Sequence, residues 1–202
     1  MILVTGFVPF VSREGIVLHE NPTARIVRDL DRRGGALRGI VLPVSFAETK
    51  RLFVHALNRS EPTIWIGLGY APHRACIDFE VIALNVEAAQ RPDNDGDQPC
   101  RRPILADETV AYESGLSYEE PIAALNERNV SAKVSFHAGT FLCNQVFYLG
   151  CHHLGADKAG FIHVPPLADY QPFSEVLYDW LLKLDRHDSE VRRALSAGLI
   201  KR

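Results

Sequence analysis

Short continuous apolar runs alternate with longer stretches in which apolar residues recur every three or four positions. Residues 2–5, 39–44 and 63–69 are runs of strand length with almost no polar interruption, so each reads as a strand buried on both faces. After the first of them, residues 6–11 form an aromatic-rich loop carrying Phe7 and Phe10. Asn21-Pro22 sets a capping residue ahead of a proline in a first turn, and the helix it opens runs past Leu30 to stop at Gly34-Gly35. A second helix over 47–57 places Leu52, Phe53, Ala56 and Leu57 on one face. Strands alternating with helices predict an α/β fold: a mostly parallel central sheet with helices on both sides, in three α/β/α layers.

The rhythm changes after residue 71. Residues 77–86 read as one strand, and the polar tip Asp93-Asn94-Asp95-Gly96-Asp97 turns the chain back, giving a β-hairpin excursion from the sheet. That tip has the composition of a calcium loop, but it lacks the spaced ligands and glutamate of an EF-hand and reads as a turn. Ser117 and Glu120 stand at capping-box spacing before a helix that reaches Arg128. The alternation over 132–137 predicts a strand, 158–166 is an apolar run stopped by Pro165-Pro166, and 173–184 with 189–199 make one or two helices.

Composition narrows the class. With 202 residues, 47% hydrophobic and 23% charged, the chain is read as one domain over 1–202 with a sizeable core. A net charge of -3 from scattered residues gives no reason to expect nucleic acid or an anionic membrane as partner. No apolar run approaches the roughly 20 residues that span a bilayer. Residues 1–11 lack the basic start and small-residue cleavage site of a secretory leader. Cys76, Cys100, Cys143 and Cys151 are therefore read as reduced and cytoplasmic thiols.

One of these thiols is placed for chemistry. Gly139-Thr140-Phe141-Leu142-Cys143-Asn144 sets Cys143 at the junction between a strand and a helix, where unpaired N–H groups and the helix dipole favour thiolate and can hold an oxyanion. His163 lies near the end of the 158–166 strand, and ligands bind at the carboxyl ends of strands in open α/β sheets. A thiol needs such a base, and the base needs an orienting group. Asp78 and Glu80 both qualify, because alternate residues of a strand point the same way. Cys151-His152-His153 resembles a metal cluster only in composition, since consecutive helical residues lie about 100 degrees apart and cannot converge on one ion. No metal or other cofactor is called for.

The motifs G-T-[FY]-x-C-N and G-F-I-H-[VI]-P, together with Thr5-Gly6-Phe7-Val8-Pro9-Phe10, Asn21-Pro22 and Pro92-Asp93-Asn94-Asp95-Gly96, resemble the pyroglutamyl-peptidase I (pyrrolidone-carboxylate peptidase) family of cysteine peptidases. The resemblance covers about residues 1–167. It implies a thiol omega peptidase that removes an amino-terminal pyroglutamyl residue through a thioester, with Cys143, His163 and, between the two carboxylates, Glu80 as its catalytic set. Small peptides with a blocked pyroglutamyl terminus are the implied partners, and a homo-oligomer the implied state. Phe7, Phe10, Phe141 and Leu142 suit an apolar ring pocket; Asn21 and the Gly69-Tyr70-Ala71 turn are implied polar contacts, and Arg74 is implied near the nucleophile. Three departures border that pocket: Val11-Ser12 where two glycines are usual, Tyr70 with Pro72-His73 in place of glutamine and two glycines, and Gln90-Arg91 where the arginine usually comes one position earlier. They leave two other readings: a thiol amidohydrolase with another substrate, or a binding protein whose thiol is only buried.

Overall fold

The computed structural model describes residues 1–10 and 19–196. Val11-Ser12 and the end of the last predicted helix lie outside them. Strand β1 (Ile2–Phe7) runs two residues beyond the predicted run, taking Gly6 and Phe7 out of the loop. Helix α1 (Pro22–Arg33) opens as predicted, its Asn21 cap accepting from Thr23 N, and ends at Gly34 with φ 67. Then come β2 (Leu37–Leu42), α2 (Phe46–Ser60) and β3 (Ile64–Tyr70).

These strands belong to a six-stranded sheet of order β2-β1-β3-β8-β4-β7, where β4 is Ile77–Glu80, β7 Ala132–Ser135 and β8 Ala159–Val164. β1, β2, β3 and β8 are parallel; β4 runs antiparallel to β8, with β7 parallel to β4. The predicted single strand over 77–86 is two. After Glu80 the chain leaves the sheet, Val81 bonding Ser135 O and taking Ser114 N, and β5 (Ile82–Leu84) pairs instead with β6 (Ala111–Glu113) in a separate antiparallel pair. Apolar alternation continues across Val81, so nothing local marks the break.

The period of two divides the core into two layers. Ile2, Val4, Ile64, Ile66, Leu68 and Ile162 face α1, α3 (Glu119–Glu127) and α5 (Gln171–Ser196). Leu3, Trp65 and Phe161 face α2 and α4 (Leu142–Leu154). The last predicted helices are one, α5. At α3 the predicted capping box is absent: Tyr118 takes the cap position with no side-chain bond, because the Ser117 hydroxyl donates to the Glu119 carboxylate instead. No helix among the described residues is long and apolar enough to cross a membrane.

Candidate active site

The cavity of about 460 Å³ lies at the carboxyl ends of β1, β3 and β8 and is walled by the loop from β7 to α4. Phe7, Phe10, Phe141 and Leu142 supply apolar wall, and Cys143, His163, Arg74, Asn21 and Tyr70 also line it, so the structure brings every predicted site residue but Glu80 to one surface. Glu80 lies beneath that surface, fully buried, with its Oε1 2.7 Å from His163 Nδ1.

The sheet explains the convergence. Asp78 pairs with His163 and Glu80 with Phe161 across β4 and β8, and Gly69 pairs with His163 across β3 and β8, so all of these present the same face to α4. Cys143 comes down on that face from the first turn of α4. It approaches so closely that a Cβ on Gly69 would lie 2.8 Å from its Sγ, so only glycine fits there. Gly139, with φ 82, makes the turn that precedes it. The first main-chain bond of α4 runs from Gln145 N to Phe141 O, leaving the N–H groups of Leu142, Cys143 and Asn144 without a helical partner.

Electrostatics here depart from the sequence reading in one respect. Burial pushes the Cys143 thiol up to about 12, the Glu80 charge adds to the rise, and Arg74 and the cysteine's own N–H oppose it without prevailing. Desolvation thus outweighs the helix terminus and favours the thiol over the thiolate expected from a helix start. Burial also lowers the His163 pKa, against the pull of its Glu80 hydrogen bond. The two groups rest as neutral thiol and neutral imidazole. Because Nδ1 bonds a carboxylate, it carries the proton and Nε2 is left as the base.

Comparison with known proteins settles the lineage. The family model described as pyroglutamyl peptidase matches residues 1–173. This chain belongs to the pyroglutamyl peptidase family. Among its relatives, the pyrrolidone-carboxylate peptidase of Pyrococcus furiosus is 40% identical over 171 residues, 81% of this chain and 80% of the relative. That of Chromobacterium violaceum is 37% identical over 203 residues, 99% and 93% of the two chains. The crystalline pyrrolidone carboxyl peptidase of P. furiosus matches with a TM-score of 0.82 at 34% identity, over 92% of this chain and 98% of that one. The Thermococcus litoralis enzyme gives 0.79 at 32%, over 90% and 94%.

Against the family pattern, two of the three departures can be placed. Tyr70 forms cavity wall, its phenol raised above its ordinary pKa by burial and by the neighbouring Tyr170, whose own hydroxyl accepts from Leu167 N and donates to Pro165 O. Gln90 and Arg91 both line the cavity, as do Pro72 and His73. Asn21 lines it too, but its amide is committed to scaffold: the oxygen caps α1 and the nitrogen donates to Val8 O. Two further supports stand in the Cys143 motif, where the sequence gives them no role of their own. Asn144 holds Leu84 N, Leu84 O and Val86 O with its buried amide, and Thr140 is tied to Ala88 twice, its own carbonyl accepting from Ala88 N and its hydroxyl donating to Ala88 O, which fixes the Cys143 loop to the excursion. The acidic tip is a turn, as predicted: Asp93 Oδ1 accepts from Asp95 N and Asp97 N, and Oδ2 from Phe46 N. The Cys151-His152-His153 side chains diverge, with Cys151 in the core, His152 on Tyr112 and His153 on Leu149 O.

Proposed function

We propose that this chain is a thiol omega peptidase that removes an amino-terminal pyroglutamyl residue from small peptides. The observation that carries the reading is the buried Glu80–His163 hydrogen bond of 2.7 Å beneath the cavity that exposes Cys143 at a helix start. Family membership supports the same chemistry. As the Cys143 sulfur attacks the carbonyl carbon, His163 Nε2 takes the thiol proton, and Glu80 stabilises the imidazolium that forms. The N–H groups of the first turn of α4 are placed to hold the developing oxyanion. Collapse of the tetrahedral intermediate breaks the C–N bond; His163 returns its proton to the leaving amine, and a thioester remains. Water, deprotonated by His163, then attacks the thioester and releases pyroglutamate and the thiol.

The apolar walls of Phe7, Phe10, Phe141 and Leu142 suit a neutral lactam ring and penalise a charged ammonium. Hydrolysis of a chromogenic pyroglutamyl amide beside its prolyl and alanyl analogues tests this. The pyroglutamyl amide should be strongly preferred, and Cys143→Ala should lower turnover roughly 10⁴-fold or more while the protein stays folded. Equal rates on pyroglutamyl and prolyl amides would rule the specificity out. Hydrolysis of neither, with a reactive Cys143, would favour an amidohydrolase of another substrate, a reading to which Tyr70 in the cavity wall lends weight. The free state of all four cysteines supports a reducing, cytoplasmic setting. A homo-oligomer, proposed from the family resemblance, is checked by light scattering.

A further inference from the structure

We propose that Arg74, anchored by Asp78, is a positioning residue that locks the Glu80–His163 pair to the nucleophile's loop, and not a substrate-binding group. Its guanidinium faces the protein. One terminal nitrogen, Nη1, lies 2.5 Å from Asp78 Oδ2 and 2.9 Å from Glu80 Oε1, with Ser135 Oγ at 3.3 Å; the other, Nη2, donates to His137 O at 2.9 Å. These acceptors belong to two different parts of the site. Asp78 and Glu80 are on the strand that orients the base, whereas His137 is on the loop that leads to Cys143. One rigid planar cation therefore sets the distance between them.

Asp78 has a defined part in this frame. Glu80 Oε1 serves both Arg74 and His163, so an unrestrained arginine would draw that oxygen away from the imidazole. By accepting a hydrogen bond from the same Nη1, Asp78 holds the guanidinium at the side. The side chains are 18%, 5% and 0% exposed for Arg74, Asp78 and Glu80, so these charges interact with little screening. The charged groups that act on His163 are Glu80 and Asp78 on β4 and Arg74 in the link before it, and Cys143 on α4 lines the same cavity; behind Asp78 stand Cys76 Sγ at 3.4 Å and the exposed Lys133 Nζ at 3.9 Å. Without Arg74, two carboxylates would face the imidazole and favour its protonated form, which cannot take the thiol proton.

The inference rests on the pyroglutamyl-peptidase reading, but His163 can be followed without substrate, by NMR titration of its ring. In Arg74→Gln the His163 midpoint should move up, kcat should fall on the order of 10²-fold as expected for a misplaced catalytic pair, and KM should stay near wild type. Arg74→Lys should leave the midpoint in place yet lower kcat, since a single nitrogen cannot serve both β4 and His137 O. Asp78→Asn should move the midpoint down. A rise in KM alone, with kcat and the midpoint unchanged, would make Arg74 a substrate-binding residue and overturn the proposal. So would a loss of turnover with both midpoints unmoved. If Arg74→Gln does not fold, Asp78→Asn decides alone: an unmoved midpoint there overturns the proposal. An enzyme that cleaves no pyroglutamyl amide, yet shows both midpoint shifts, keeps the Arg74 frame and loses only the substrate.

Discussion

At the residue scale the site turns on a thiol and an imidazole that are both neutral at rest. Their pH dependence follows from burial. His163 titrates below its ordinary 6.5, so the base form persists into mildly acid solution and kcat/KM should hold until an acid limb that lies below pH 6.5. The same displacement bears on stability. Once the pH falls below 6.5, the unfolded chain takes up a proton that the buried imidazole refuses, so stability is full above that pH and falls until the folded pKa is passed. An acid limb above 6.5 in the wild-type rate profile would contradict the assignment. Between the carboxylates, Glu80→Gln should be the more damaging change and Asp78→Asn the milder, measured as kcat on the pyroglutamyl amide, because only Glu80 touches the imidazole. Cys143 and His163 were legible from their motifs and positions. Glu80 was legible only through the family resemblance, since alternation puts Asp78 on the same face and the register sets Asp78 opposite His163; it is the contact of Oε1 with Nδ1 that separates the two carboxylates. The state of the thiol was not legible, because a helix start can be read from sequence and the desolvating packing around the sulfur cannot.

At the element scale, the meeting of β3 with α4 is the tightest constraint on the site. Gly69→Ala sets a methyl group 2.8 Å from Cys143 Sγ and 2.9 Å from the Phe161 ring, and one of these must yield. Overpacking of this kind costs about 1–3 kcal/mol, so the denaturation midpoint should fall, and turnover should fall with it as the sulfur is displaced. Full activity in that variant would mean that Cys143 tolerates a shift the cavity geometry forbids. Local signals served unevenly here. Asn21 caps α1 as its spacing with Pro22 predicts, whereas Ser117 and Glu120, equally well spaced, make no box because Glu119 captures the serine hydroxyl. The break at Val81 was hidden for a related reason: it is imposed by Ser114 and Ser135, distant in sequence, on residues whose own pattern runs on unbroken.

At the scale of the whole molecule, layered α/β architecture was legible because buried strands and amphipathic helices advertise their periods. Strand order was not, since alternation says nothing about which strands become neighbours. The order found has a temporal meaning. β8 is the last strand among the described residues, yet it lies between β3 and β4, and the link over 71–76 crosses its end, with Ala71 N bonded to Val164 O. Until residues 159–164 arrive, β3 and β4 flank an open slot with unpaired edges, a state exposed to wrong pairing. Insertion of β8 then closes the sheet and delivers His163 to Glu80 in the same event. During refolding, hydrolysis and the fluorescence of Trp65 and Trp180, which pack on opposite faces against Phe161 and Phe79, should recover with one rate constant. Activity that lagged behind fluorescence would separate the two. In a nascent chain Cys143 thus precedes His163, and the proposed catalytic pair cannot meet until the strand that completes the sheet has been made.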